Sequence, residues 1–237
     1  MFCAQGKMLF GTFSEYISVW AKALVKLPDE VGDSEVPLAC GGLTAYSAIK
    51  KLIKFGIPPG KPIAIIGAAG GLGHYAVQIA KAFGYKVIGV DIGAEKLEFV
   101  KSLGADYALE PRKAGRFVEK TFGGVYASVI FSPKLASFEF AYKTTRRGGV
   151  FMAVAMPAMN EGTLSLIPLE FIFKGIHMMS SVTGTVEEMR ELVQLAADGK
   201  VKTHVSRTLG LSEINQVFDE LEQGAYTGRA IIDNILK

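Results

Sequence analysis

Cysteine is almost missing from this chain: Cys3 and Cys40 are the only two in 237 residues, and they form neither a CxxC pair nor a disulfide framework. Such usage fits a reducing compartment, and the cytoplasm is the expected location. Histidine is as scarce, with only His74, His177 and His204, so a histidine-rich metal centre has little to draw on. Long apolar runs are absent too. The longest candidate, Val150 to Ala158, is broken by Pro157 and falls well short of the ~18 residues a membrane helix requires. The opening MFCAQGKMLF has too short an apolar part for a signal peptide. No run of five like charges occurs, and 26 Lys and Arg against 23 Asp and Glu leave a net charge of only +3. That balance gives no reason to expect a nucleic-acid or membrane partner. Internal repeats and low-complexity tracts are likewise lacking.

What the chain does have is an ordinary globular balance, 49% hydrophobic and 21% charged residues, with enough length for one or two cores. Residues 11–27, GTFSEYISVWAKALVKL, alternate loosely and fit two short strands. From Gly41 the pattern turns helical, with Leu43, Tyr46, Ile49 and Ile53 on one face, until Gly56 and Pro58-Pro59-Gly60 stop it. Strands are then expected near 63–67, 86–91, 106–109, 126–131, 148–154 and 176–182. Helices fit the intervals 71–83, 94–103, 112–121, 134–145 and 185–198. The last of these opens with a capping box, Thr185 with Glu188, and presents Val186, Met189, Val193 and Ala196. A final helix, Ser212 to Gln223, places Ile214, Val217, Phe218 and Leu221 on one side, and Arg229 to Asp233 closes as a strand. Regular β–α alternation of this length predicts a doubly wound α/β fold, a six-stranded parallel sheet covered on both faces.

The chemistry concentrates in KPIAIIGAAGGLGHYAVQIAKAFGYKVIGVD, Lys61 to Asp91. An apolar run (Ile63 to Ile66) meets a glycine turn (Gly67, Gly70, Gly71, Gly73), then a helix from about Gly71. A second apolar run follows and stops on an acid. This is the order of a dinucleotide-binding unit. The helix N-terminus offers free amides and a positive dipole end to a pyrophosphate, and glycines let the phosphate approach the backbone. Ala76 and Ala80 are small on the side facing the sheet. Asp91, at the end of the second strand, can accept from both ribose hydroxyls and would repel a 2′-phosphate, which favours NAD over NADP. Lys96 is placed to donate to the same ribose, or is an ordinary solvated lysine.

With these residues in hand, the chain resembles the zinc-type alcohol dehydrogenases of the medium-chain dehydrogenase/reductase superfamily, in particular the yeast-type branch. The glycine segment carries the likeness, and GTFSEYI, PLACGGLTAYSAIK, SLGADY, AADGKVK and TGRAIID agree in order, from Gly11 to Asp233. The resemblance implies a Rossmann domain over residues 36–205, with 1–35 and 206–237 as remnants of a β-rich GroES-like catalytic domain. It implies that the amides of Gly71 and Leu72 meet the pyrophosphate, that Asp91 and Lys96 hold the adenosine ribose, and that Arg229 reaches the pyrophosphate. Thr44 would pack on the nicotinamide, with Val154 and Val182 near its ring and amide; from pattern alone these three are a helix residue and two strand-core residues.

Cys40 matches the third ligand of that family's catalytic zinc, and Cys3 the last member of its structural-zinc loop. The other catalytic ligands, including a Gly-His-Glu segment, do not occur, and most of the family's first domain is expected to lie outside this chain. His74 follows the glycine turn and His177 is expected in a central strand, so Cys40 is expected to be a small buried residue without metal. The implied activity is NAD-dependent hydride transfer between an alcohol or aldehyde and nicotinamide, with the chain binding coenzyme without turnover. Two alternatives stand beside it. One is a non-catalytic NAD-binding module that oligomerises as a dimer or tetramer through the edge formed by MMSSVTG. The other is a zinc-independent quinone reductase, against which Asp91 and Cys40 count. Apolar surface is expected near residues 8–27 and 212–233, where the missing domain would pack.

Overall fold

The computed structural model describes residue 13, residues 18–224 and residues 226–233. After 3-10 turns at Ala21–Ala23 and Asp33–Ala39, the chain enters α1 (Gly41–Phe55). Strand and helix then alternate: β1 (Pro62–Ile66), α2 (Gly73–Ala82), β2 (Lys86–Val90), α3 (Ala94–Ser102), β3 (Tyr107–Leu109), α4 (Pro111–Phe122), β4 (Val125–Ile130), α5 (Leu135–Thr144) and β5 (Thr145–Ala153). Next come α6 (Pro168–Lys174), β6 (His177–Ser180) and α7 (Val186–Ala197), and last β7 (Val205–Leu209), α8 (Ile214–Glu222) and β8 (Arg229–Ile232).

Six strands form one parallel sheet in the order β3-β2-β1-β4-β5-β6. The order reverses between β1 and β4, so the loops at their carboxyl ends diverge and leave a crevice there. The fold expected from the β–α alternation is therefore the one observed. Successive side chains of a strand point to opposite faces, and β1 divides accordingly. Ile63 and Ile65 join one core with Tyr46, Ile49, Ile79 and Leu192, while Ala64 and Ile66 join a second with Val118, Phe138 and Tyr142. Each large apolar side chain buried this way contributes about 1.5–3 kcal/mol. Ala76 and Ala80 are fully buried, which lets α2 lie close on the sheet. The capping box forms as read, with the Glu188 amide donating to Thr185 Oγ1 and the Thr185 amide donating to Glu188 Oε2, both at 3.1 Å.

Several local expectations are corrected. Residues 18–27 hold a 3-10 turn at Ala21–Ala23 and no strand, while 11–12 and 14–17 lie outside the described residues. On α1, Leu52 is buried in place of Ile53, which is exposed. On α8 only Val217 is buried, with Phe218 and Leu221 exposed. The closing strand β8 forms over Arg229–Ile232, as expected, and pairs with β7 in a separate two-stranded parallel sheet. His177 stands on β6, an edge strand, with its ring against Phe55 at 4.7 Å, and not in a central one.

Candidate dinucleotide-binding site

The glycine turn leaves the carboxyl end of β1 at the crevice. Gly67 has φ +80°, and a Cβ there would come within 2.9 Å of the Ser132 amide just past β4. A Cβ at Gly73 would overlap the Gly67 carbonyl. These two glycines thus fold the turn and seat the helix, whereas a Cβ at Gly71 would meet the Arg229 guanidinium and one at Gly70 would make only an ordinary contact with the Gly67 carbonyl. The helix begins two residues later than expected, at Gly73 with Leu72 as N-cap. No acceptor among the described residues takes the Gly71 or Leu72 amide, so both donors and the dipole of α2 face the crevice.

The Gly67 amide donates to the Val90 carbonyl at 2.9 Å, tying the turn to the end of β2. The next residue is Asp91. Its Oδ2 accepts from the Ala69 amide at 2.8 Å, and its Oδ1 accepts from the Ile92 amide at 2.9 Å. The acid is therefore locked beside the glycine turn, with lone pairs left for a ribose. Lys96 lies half-buried in the first turn of α3. Thr44 is in the first turn of α1, its hydroxyl donating to the Cys40 carbonyl at 2.7 Å. Val154 is buried just past β5, and its amide donates to Ile130 O at 3.3 Å. Val182 stands past β6 and is 72% exposed, so it is not strand core. Val154, Val182, Asp91 and the glycine turn all share the carboxyl edge of the sheet.

The C-terminal segment completes the crevice, and sequence reasoning captured only part of it. Gly228 N donates to Ala69 O at 3.1 Å, and Arg229 N donates to His204 O at 2.9 Å. The Arg229 guanidinium then lies over Gly41 and Gly71: a Cβ at Gly71 would come within 3.1 Å of its Cζ, and one at Gly41 would overlap it. Arg229 Nε is buried without a hydrogen-bond partner. Leaving a buried donor unpaired costs about 1–3 kcal/mol, so this group is suited to pairing with an anion. Gly41, Gly228, His204 and His74 were not read as site residues. Gly41, Gly228 and His74 were signalled only by their positions beside Cys40, Arg229 and Gly73, and His204 by nothing local.

His74 is fully buried, with Nδ1 3.1 Å from the Gly70 carbonyl and Nε2 3.4 Å from the His204 amide. An amide can only donate, so Nε2 is the acceptor and the proton sits on Nδ1. Burial is the main force that pushes its pKa down to about 4, and the nearby Arg229 and His204 lower it further. The ring is neutral at physiological pH.

The zinc-ligand position read from the resemblance is Cys40. Cys40 is exposed at the N-cap of α1, not buried as expected. Among the described residues no group of three or more His, Cys, Asp or Glu is placed to hold a metal. His74 is committed to two backbone groups, His177 lies against Phe55, and His204 stacks on Phe99 at 4.4 Å. Cys3 lies outside the described residues.

A doubly wound sheet with a glycine turn at its switch point, an adjacent strand-end acid and a half-buried arginine defines a Rossmann-type domain. The chain belongs to the zinc-binding dehydrogenase family, whose description matches residues 71–198. It is 39% identical to an alcohol dehydrogenase of Geobacillus stearothermophilus over 230 residues, which cover 96% of this chain and 66% of that protein. It is 32% identical over 232 residues to an alcohol dehydrogenase of Moraxella sp. strain TAE123, covering 97% of this chain and 66% of that one. The crystal structure of the alcohol dehydrogenase from Aeropyrum pernix superposes with a TM-score of 0.80 at 33% identity, covering 88% of this chain and 61% of that chain. The chain thus spans just under two thirds of the length of these relatives.

Proposed function

We propose that this chain binds NAD in the crevice between the glycine turn, Asp91 and Arg229, as the coenzyme-binding part of an alcohol dehydrogenase-type oxidoreductase. The observation that carries this is the Arg229 guanidinium packed over Gly71, its Nε buried without a hydrogen-bond partner, in a turn whose Gly71 and Leu72 amides find no acceptor among the described residues; such donors suit an anion. Asp91 takes the adenosine ribose, with Lys96 donating alongside it, and its charge disfavours a 2′-phosphate. Thr44, Val154 and Val182 border the nicotinamide end. When bound, NAD supplies the hydride acceptor for oxidation of an alcohol. Residues 36–205 serve as the coenzyme domain, with 1–35 and 206–237 belonging to a second, β-rich unit. The separate β7–β8 sheet supports that division.

Because the described residues present no zinc ligand set, the reading is coenzyme binding without alcohol turnover by this chain alone. Titration with NADH, followed by nicotinamide fluorescence, tests it. Saturable binding that prefers NADH to NADPH is expected, and no binding at millimolar NADH removes the reading. Adding short alcohols and zinc is expected to produce no NAD reduction.

The second proposal concerns assembly. The edge strand β6 and the neighbouring α6 expose Ile167, Leu169, Ile172, Phe173 and Met178 together, an apolar surface beside unpaired strand groups. We propose that two copies associate there.

A further inference from the structure

We propose that His74 is a positioning residue for the pyrophosphate site, holding the glycine turn in register with the strand that carries Arg229. The proposal rests on the coenzyme reading of the turn and adds to it a residue that touches no part of the coenzyme.

A set of three hydrogen bonds runs from the turn and the start of α2 to the residue that carries the guanidinium. The first is Gly228 N to Ala69 O, in which one backbone group of the turn meets β8 directly. The other two run through His204. The His74 ring accepts from the His204 amide, and the His204 carbonyl accepts from the Arg229 amide. His74 itself is anchored on the turn, donating from Nδ1 to Gly70 O. One imidazole therefore spans from the carbonyl of a pyrophosphate-loop residue to the residue that aligns Arg229. Gly228 must stay free of a side chain for this, since a Cβ there would overlap the His204 carbonyl.

The chemistry requires a particular tautomer. With a donor toward Gly70 and an acceptor toward His204, the neutral ring satisfies both partners. A protonated ring would turn a second N–H against the His204 N–H and add a positive charge close to Arg229. Burial and that arginine keep the ring neutral. A hydroxyl or apolar side chain at position 74 could keep the helix but could not bridge both backbone groups.

The test compares two probes by calorimetry, ADP-ribose, which carries the pyrophosphate, and adenosine, which does not. His74→Ala is expected to weaken ADP-ribose binding about tenfold and adenosine binding less than about twofold. In an Arg229→Ala background, His74→Ala is expected to add less than about twofold further, because its effect passes through that arginine. His74→Gln, which keeps an amide donor and a carbonyl acceptor, is expected to bind ADP-ribose within about threefold of wild type, and it serves as the test variant if His74→Ala does not fold. Equal losses for the two probes, multiplying losses in the double variant, or a folded Gln variant tenfold weaker than wild type would each overturn the proposal. A wild-type chain that fails to bind ADP-ribose would instead sink the coenzyme reading itself.

Discussion

At the scale of single residues, Arg229 and His74 separate affinity from stability. Arg229 Nε is a buried donor without a hydrogen-bond partner, and a buried unpaired donor costs stability. Arg229→Ala should weaken NADH binding by about tenfold or more, yet leave the thermal midpoint of the free protein unchanged or higher. A melting curve shifted down by several degrees would instead mark Arg229 as structural. His74 governs the acid side. Its folded pKa of about 4 lies below the ordinary 6.5, so the unfolded chain takes up the proton first. The contribution is complete above pH 6.5 and falls as pH drops toward 4, by up to about 3 kcal/mol. Arg229 and His204 face the ring, and Tyr75 lies alongside it at 3.8 Å. Urea unfolding of wild type and His74→Gln from pH 4 to 7 isolates this term. Parallel curves would show that His74 does not titrate as described.

Elements respond at their ends. In α7 the reciprocal bonds of Thr185 and Glu188 satisfy two amides of the first turn, and Glu188 is also held near Lys54 at 3.6 Å. Thr185→Ala should lower unfolding free energy by about 1 kcal/mol, measured by urea denaturation at pH 7, with NADH affinity unaffected. The start of α2 is less forgiving. A methyl group at Gly73 would meet the Gly67 carbonyl, and neither backbone segment can yield without displacing the turn. Gly73→Ala should therefore cost both stability and coenzyme binding, unlike Thr185→Ala. A Gly73→Ala chain with wild-type NADH affinity would show that the turn has slack.

For the molecule as a whole, ligand and association act by mass action. NADH at 100 times its Kd should stabilise the chain by about 2.7 kcal/mol, visible as a raised melting temperature. Two groups of exposed apolar side chains bear on association. One is α6 with β6. The other comprises Phe13, Trp20, Leu24, Phe218 and Leu221, where apolar surface was expected near 8–27 and 212–233. An Ile172→Glu and Phe173→Glu double variant should sediment as a monomer if copies meet at α6. Unchanged sedimentation would move the interface elsewhere.

Much of this protein was legible in its residues because the forces involved are local. Period-2 and period-3.6 patterns reported the six strands and most helices, since each element must bury its own apolar face. The glycines before a helix and the acid ending the next strand reported the crevice, since a phosphate-binding turn needs residue types at set spacing. What sequence could not supply depends on segments distant along the chain. Whether Cys40 is buried and which residue sits behind the turn are settled by packing, as where His74 meets His204, 130 positions away. His74 and His204 meet only because β7 and β8 return to the glycine turn, and no periodicity records that contact. Spacing named the cradle; only tertiary packing brought the arginine over it.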